Sequence, residues 1–336
     1  MSGIVGFINL DREPADPEIL LNVCRPLFDR APDGTNTWTR GSTGLGHALL
    51  AISPDESIPS QPFTPDETVW IASDAHLYGR GELVHKLRSA STEVASDVTA
   101  PELLLAAYRA FGEGFAEHLV GDFAIAIWDE RHQKLVCSRD HLGVRPLFYS
   151  QAEGVFIFGS DIDALLAHPK VSHELNETFI ADFLLFGASI EQGATVYKHI
   201  KRLPAAHYMV VDPNGIRLNR YWSAPLHQVV RYSRATEYTE HFASIFEKAV
   251  TERIPPTKIA LELSGGMDSG SIAAIATAHA KEHGQKIMAF TNTCEDLIPE
   301  DKEGQFAKMI ASQLGIPLQL SASGDYPLFD RFESPA

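Results

Sequence analysis

The stretch LELSGGMDSG, residues 261–270, joins an apolar segment to a loop of serine and glycine. Its flanks, 259–263 before the loop and 272–280 after it, predict a strand, a loop and a helix in succession. Gly265 and Gly266 carry no side chain, so successive backbone N–H groups can converge on an anion. The N-terminus of the helix adds its positive dipole end. The stretch therefore predicts a phosphate-binding loop, and the plainer alternative is a turn without a ligand.

The polar side chains of this loop indicate which phosphate compound it binds. Asp268 places a carboxylate among anion-binding groups, which is expected if it holds a Mg²⁺ ion that neutralises phosphates. The loop contains no lysine, so it lacks the pattern of kinase-like enzymes. It resembles the pyrophosphatase loop (PP-loop) of ligases that cleave ATP to AMP and pyrophosphate. We predict that ATP and Mg²⁺ are bound by Ser264, Gly265, Gly266, Asp268 and Ser269, with Leu263 and Asn292 beside the adenosine.

Length and composition limit the class of protein. The 336 residues are 44% hydrophobic, which is enough for two domains. No apolar run approaches the roughly 20 residues of a membrane span, and the N-terminus has no basic start of a signal peptide. The net charge of −16 makes nucleic acid an unexpected partner. Cys24, Cys137 and Cys294 have neither a disulfide-like nor a metal-like spacing, so we expect buried thiols and a cytoplasmic location.

Hydrophobic periodicity predicts two kinds of architecture along the chain. The first two hundred residues alternate short strands with a few helices, and the last third alternates strand and helix as in a doubly wound parallel sheet. The expected N-terminal strands are 3–10, 43–52, 69–73, 123–129, 135–139, 148–150, 155–160 and 207–211, and the expected helices are 17–28, 101–111, 162–167 and 177–186. The expected C-terminal elements are helix 237–253 and, after the strand and helix around the loop, strand 286–291, helix 303–314 and strand 317–321.

Five motifs in order identify the chain as a member of the asparagine synthetase family. They are GIVGF at residues 3–7, RAPDG at 30–34, GDFA at 121–124, RDHLGVRPL at 139–147 and the loop SGGMDS at 264–269. The resemblance spans essentially the whole chain. It implies an α+β, Ntn-hydrolase-like αββα sandwich of the class II glutaminase type at residues 1–215, a connector at 216–236, and at 237–336 the first part of an α/β ATP-pyrophosphatase domain.

One of these motifs has a structural interpretation. RDHLGVRPL, residues 139–147, is predicted to be a turn between strands. In this turn we expect Asp140 to accept hydrogen bonds from backbone N–H groups and Arg145 to form an ion pair with Asp140. His47 and His76 are likewise expected to be structural rather than catalytic.

The departures from the family concern glutamine hydrolysis. Glutamine-using members carry a nucleophilic cysteine directly after the initiator methionine, where this chain has Ser2. Leu49 replaces the arginine for the substrate carboxylate, and Ala100 replaces the aspartate for its ammonium group. The segment 74–76, Asp-Ala-His, replaces Asn-Gly-Glu, which includes the oxyanion donor. These changes predict an inactive glutaminase domain, with Ser2 retained only as a residual candidate nucleophile.

An amide-forming enzyme without its own ammonia supply is expected to use an amine of its substrate. Lasso-peptide macrocyclases and β-lactam synthetases of the same family do so. The segments DFLLFG at 182–187, RLPAAH at 202–207 and RYW at 220–222 resemble the macrocyclases, which implies a precursor peptide and its leader-processing protein as partners. The alternative is asparagine synthase, which would use aspartate with free ammonia or glutamine.

The C-terminal end of the chain leaves a further alternative open. The family's synthetase domain is much longer, so we expect the chain to be truncated within that domain, before the acidic glycine-rich loop and the lysine that complete the ATP site. The second hypothesis is therefore a non-catalytic binding module. The acidic group Glu300, Asp301 and Glu303 is expected to be a favourable helix start rather than a Mg²⁺ or substrate site.

Overall fold

A computed structural model describes residues 2–51, 59–95, 98–294, 298 and 301–322 of the chain. The chain separates into two compact units, Met1–His227 and Gln228–Ala336. The division between them falls within the segment 216–236. Among the described residues, no helix is both long and apolar enough to cross a membrane.

The N-terminal unit contains two antiparallel sheets and five α-helices within its described residues. The strands are β1 Gly3–Asn9, β2 Gly34–Arg40, β3 Thr43–Leu49, β4 Val69–Tyr78, β5 Val120–Asp129, β6 Lys134–Arg139, β7 Phe148–Ala152, β8 Val155–Gly159, β9 Ile200–Arg202, β10 His207–Asp212 and β11 Gly215–Arg220. The helices are α1 Pro17–Cys24, α2 Arg80–Ser89, α3 Ala100–Phe111, α4 Ile162–Leu166 and α5 Glu177–Phe186. The strand orders are β2-β3-β1-β8-β7-β9 and β11-β10-β6-β5-β4.

Strand β5 shows how the sandwich is built. Successive side chains of a strand point to opposite faces of its sheet. Phe123, Ile125 and Ile127 pack in one apolar cluster with residues of α2 and α3. Their neighbours Ala124 and Ala126 belong to the cluster that also contains Ile4 and Phe158 of the other sheet. A third cluster packs α1 and α4 on the outer face of that other sheet. The predicted αββα arrangement is thereby confirmed.

The strands missing from the prediction lie at sheet edges. β2, β9 and β11 are all edge strands, and β9 has only three residues. An edge strand needs no continuous apolar face, and β2, with the sequence GTNTWTR, has no buried residue. Helix α2 was also missed, and β4 extends beyond its expected end at residue 73 to Tyr78. Hydrophobic pattern alone therefore located the interior strands and, of the four edge strands in this unit, only the largely buried β4.

Helix α1 is shorter than expected and ends at Cys24, where a 3₁₀ segment, Arg25–Arg30, follows. Pro26 has no N–H group to donate to the preceding turn, which explains the change of helix type. The expected burial of the thiols is confirmed for Cys24 and Cys137, and burial raises the pKa of Cys24 to about 12. It is wrong for Cys294, which is partly exposed because it lies just past the end of a strand in the C-terminal unit.

The C-terminal unit has a three-stranded parallel sheet in its described part. Its elements are α6 Ala235–Thr251, β12 Ile259–Glu262, α7 Met267–His283, β13 Ile287–Thr293, α8 Glu303–Leu314 and β14 Leu318–Ala322. The strand order is β12-β13-β14, with both pairs parallel. A small cluster, Leu263, Ala273, Ala289, Ala307, Ala311 and Ile316, forms the core of this unit. The expected strand and helix alternation is confirmed. Helix α7 begins five residues before its expected apolar flank and ends three residues after it, and the other ends lie within two residues of their expected positions.

Candidate functional site

The loop between β12 and α7 has the geometry of an anion site. Gly266 is the N-cap residue of α7, and no side chain caps this helix end. The N–H groups of the first helical turn have no partner within their own helix, so an uncapped helix start can receive an anion. A Cβ atom added to Gly266 would have only the Ser264 Oγ atom nearby, at 3.4 Å. The space in front of the helix start is therefore open.

The neighbouring glycine is required for a different reason. Gly265 has a φ angle of +77°, in the left-handed region that favours glycine. A Cβ atom there would lie 2.7 Å from the Cβ atom of Phe306 and 2.9 Å from the carbonyl oxygen of Glu303, both in α8. Gly265 therefore lets helix α8 pack directly against the loop.

The two loop serines contact each other, where the sequence predicted contacts with phosphate. The hydroxyl oxygens of Ser264 and Ser269 are 3.0 Å apart. The backbone N–H of Ser264 also donates to Ser269 Oγ over 3.2 Å. These bonds join the two ends of the loop and hold it closed around the glycines.

The remaining predicted ligands differ in their exposure to solvent. Asp268 lies exposed in the first turn of α7, and Asn292 is exposed near the end of β13. Leu263 is fully buried in the apolar core, so its side chain is not free to contact adenosine as expected. Within the described part of the chain, no group of three His, Cys, Asp or Glu side chains could hold a metal ion. The open helix start and the Asp268 carboxylate fit a phosphate group and its Mg²⁺ ion together, but not a metal ion alone.

The acidic residues near α8 have a structural role in this structure. Asp301 Oδ1 accepts a hydrogen bond from the Glu303 N–H over 3.0 Å, and Oδ2 accepts one from the Cys294 N–H over 2.8 Å. These two bonds lower the pKa of Asp301. The third acidic position, Glu300, lies outside the described residues. The hydrogen bonds support the expected helix-start interpretation.

At the N-terminus, Ser2 is held by the backbone of Leu50, the residue that directly follows β3. Its hydroxyl oxygen accepts a hydrogen bond from the Leu50 N–H over 3.0 Å and lies 3.3 Å from the Leu50 carbonyl oxygen. The two positions predicted to have lost their charged substrate contacts are Leu49 and Ala100. Leu49 is the last residue of β3, and Ala100 is the first residue of α3. Neither side chain carries a charge for an amino-acid substrate.

An ion pair lies in the segment 74–76, where sequence analysis predicts the family's oxyanion donor. Asp74 Oδ2 in β4 is 3.5 Å from a guanidinium nitrogen of Arg145, and both side chains are largely buried. The expected pairing of Arg145 with Asp140 is therefore wrong. The two oxygens of Asp140 instead accept the N–H groups of Leu142 and Val144, over 3.1 and 2.8 Å, and those of Phe123 and Arg145, over 3.3 and 2.9 Å. Because backbone donors occupy its oxygens, the guanidinium pairs with Asp74.

The histidines of this region have structural surroundings. His47 is buried, its Nε2 atom has no hydrogen-bond partner, and burial lowers its pKa to about 4. It is therefore neutral at pH 7. His76 packs edge-to-face on Tyr78, with ring centroids 5.2 Å apart.

Two features of the sites were missed by sequence analysis. The Asp74–Arg145 pair was missed because a motif does not show which partner an arginine selects. The hydroxyl of Thr291, which contacts the Leu263 carbonyl oxygen, was missed because a threonine in a strand is usually a packing residue. The only available signal was the change from apolar to polar residues at Thr291 within β13.

Each of the two units matches a known protein family. Residues 1–222 match the glutamine amidotransferase domain family, and residues 241–331 match the asparagine synthase family. The chain is 31% identical over 299 residues to "Asparagine synthetase [glutamine-hydrolyzing] 3" of Bacillus subtilis, covering 85% of this chain and 47% of that protein. It is 25% identical over 321 residues to "Amidase chyE" of Penicillium rubens, covering 90% of this chain and 46% of that protein. The chain thus spans about half the length of these relatives.

Among solved structures, the glutamine phosphoribosylpyrophosphate amidotransferase from B. subtilis aligns with a TM-score of 0.47 and 14% identity. The alignment covers 95% of this chain and 65% of that one.

Proposed function

The chain belongs to the asparagine synthetase family, and we propose that its C-terminal unit binds ATP for an amide-forming ligase reaction. The single observation that supports this most is the uncapped start of α7 behind Gly265 and Gly266. In the proposed reaction a substrate carboxylate attacks the α-phosphate of ATP, and pyrophosphate leaves. An amine then attacks the acyl-adenylate, the amide bond forms, and AMP leaves.

The residues of the loop would have distinct roles. The backbone N–H groups at the start of α7 would donate to phosphate oxygens, and the exposed space at Gly266 would let the phosphates approach. Mg²⁺ would supply positive charge to the phosphates when bound. Asp268 would help to hold the ion, since a carboxylate is a preferred Mg²⁺ ligand. Ser264 and Ser269 would keep the loop closed and bind the phosphates with their hydroxyl groups.

For the N-terminal unit we propose that glutamine hydrolysis is lost. Asp74 offers a carboxylate, which accepts hydrogen bonds and cannot stabilise an oxyanion in the way that an amide N–H does. The Ser2 hydroxyl is engaged by Leu50, and Leu49 has no charge for a carboxylate. Ser2 therefore remains only a residual candidate nucleophile, and the amine is expected to come from another source.

The finer proposal is that the reaction closes a lasso-type peptide ring. The support is the combination of an altered glutaminase pocket with an intact loop, together with the macrocyclase-like segments named above. The partners would be a precursor peptide and its leader-processing protein. Asparagine synthase is the second candidate, because relatives of this chain carry that name. A binding module without catalysis is the third.

Pyrophosphate release from ATP by the full chain, measured with and without acceptors, tests these proposals. A macrocyclase requires a precursor peptide, whereas aspartate with ammonia or glutamine would indicate asparagine synthase. We expect Asp268→Ala to abolish release and Ser2→Ala to leave it unchanged. Loss of glutamine-dependent release in the Ser2→Ala variant would contradict the inactive pocket. Absence of release with every acceptor would favour the binding module.

A further inference from the structure

The carbonyl group of Leu263 lies at the entrance of the phosphate loop and is bound by a side chain. Leu263 follows the end of β12 and directly precedes Ser264. Its N–H group still donates to the Phe290 carbonyl of β13, over 2.8 Å. Its carbonyl oxygen accepts instead from the hydroxyl of Thr291, over 2.6 Å. Both residues are buried, where a carbonyl without a partner would be costly.

A second set of hydrogen bonds connects the end of β13 to the loop, through Asp301 and helix α8. Asp301 joins the Cys294 N–H, just past β13, to the Glu303 N–H at the start of α8. Helix α8 then lies against Gly265, with the Phe306 Cβ atom 2.7 Å from an added Cβ position. The carboxyl end of β13 thus supports the loop at both Leu263 and Gly265.

We propose that Thr291 is a positioning residue for the ATP loop, with Asp301 acting in the same way through α8. This inference rests on the proposed binding of ATP by the loop. The hydrogen bond from Thr291 fixes the orientation of the Leu263 carbonyl group and so the backbone conformation at the start of the loop. The N–H groups after Gly265 would then face the phosphate site before ATP binds. A loop ordered in advance binds more tightly, because binding then costs less conformational entropy.

Three substitutions separate positioning from packing. Thr291→Val keeps the shape of the side chain but removes the donor, so the Leu263 carbonyl loses its partner. Thr291→Ser restores the donor with one methyl group fewer. Thr277→Val is the matched control, since Thr277 is a buried threonine of α7 whose hydroxyl has no hydrogen-bond partner.

The experiment combines amide hydrogen exchange at residues 261–270 without nucleotide and calorimetric titration with MgATP, both on the full chain. In Thr291→Val we expect exchange about tenfold faster and an ATP dissociation constant about tenfold higher. Thr291→Ser and Thr277→Val should behave like the wild type. A merely structural role would lower the melting temperature of Thr291→Val without changing exchange at the loop or ATP affinity.

Two outcomes distinguish this inference from the proposed function. Unchanged loop exchange in Thr291→Val, with ATP bound normally, would overturn the positioning role and leave ATP binding intact. Absence of ATP binding by the wild type would contradict the proposed function, while the exchange data would still decide whether Thr291 holds the loop. For Asp301, we expect Asp301→Ala to raise loop exchange and Asp301→Asn, which keeps an acceptor oxygen, to raise it less.

Discussion

The two units differ in the size of their apolar core and in how well the residues of their predicted site match the family. The described N-terminal unit has three apolar clusters with aromatic and branched side chains, yet we propose that its pocket does not support glutamine hydrolysis. The described C-terminal unit has one small cluster, in which four of six members are alanine, yet its phosphate loop matches the family. Packing and chemistry therefore vary independently in this chain, because a fold depends on buried area and a site on a few polar atoms.

The N-terminal unit also shows how a buried carboxylate in the segment 74–76 is compatible with its fold. Asp74 would be costly to bury alone, and Arg145 provides its counter-charge. Arg145 in turn sits in a turn whose backbone is held by the buried Asp140. A buried aspartate at position 74 is thus compatible with the fold, because a neighbouring motif supplies a cation.

The largest expected effect tests whether packing alone holds the N-terminal unit. In Asp140→Ala, four backbone N–H groups lose their acceptor, so we expect the free energy of unfolding to fall by about 4 kcal/mol. Urea denaturation followed by tryptophan fluorescence measures this unit specifically. All the tryptophans lie in it, at positions Trp38, Trp70, Trp128 and Trp222.

Asp16→Ala is the matched control. Asp16 caps α1 through one hydrogen bond to Glu18, and its loss should cost only about 1 kcal/mol. If the two variants lose similar amounts of stability, Asp140 is not the polar support of the motif, and the account of the tolerated pocket is wrong.

The next effect concerns buried histidines of the same unit. Burial lowers the pKa values of His47 and His168 to about 4 from an ordinary value of 6.5. The unfolded state therefore binds more protons between these values, and stability is complete above pH 6.5 and lost as the pH falls towards 4. We expect a loss of about 3 kcal/mol for each histidine across this range. In the double variant His47→Asn, His168→Asn, the free energy of unfolding, measured by fluorescence, should depend less steeply on pH. An unchanged slope would contradict the role of the two histidines in the loss of stability at low pH.

The smallest effect compares the two glycines of the loop. Gly265→Ala forces a left-handed conformation on alanine and meets α8, so we expect a loss of about 2 kcal/mol in the C-terminal unit. Gly266→Ala has an ordinary backbone conformation and open space, and should fold normally while binding ATP more weakly. Hydrogen exchange of α7 and α8 measures the stability of the C-terminal unit in each variant, and titration with ATP measures its affinity. Equal stability and equal ATP affinity in the two variants would contradict the proposed loop.

Sequence analysis predicted the interior of both units well because buried strands carry an apolar pattern. It predicted β1, β5 and β10 and the alternation after residue 258 to within a few residues. The missed strands β2, β9 and β11 are edge strands, in which solvent removes that pattern. Edge position is a property of the tertiary structure and cannot be seen in a local window.

The sites were predictable in a similar, partial way. The loop serines, glycines and Asp268 could be predicted as ligands from the sequence, because close backbone approach requires particular residue types. Their partners were not, since hydrogen bonds such as Thr291 to Leu263 join residues distant in sequence. The burial of Leu263 was missed for the same reason, because α8 and β13 cover it only in the folded unit.

The most direct test of the contrast between the units is equilibrium dialysis of the full chain against MgATP and L-glutamine together, with Asp268→Ala as the control. We expect the wild type to bind ATP and no glutamine, and the variant to bind neither. Bound glutamine without ATP would contradict both halves of the account, because it would mean that the N-terminal pocket has kept its substrate and the phosphate loop has lost its own.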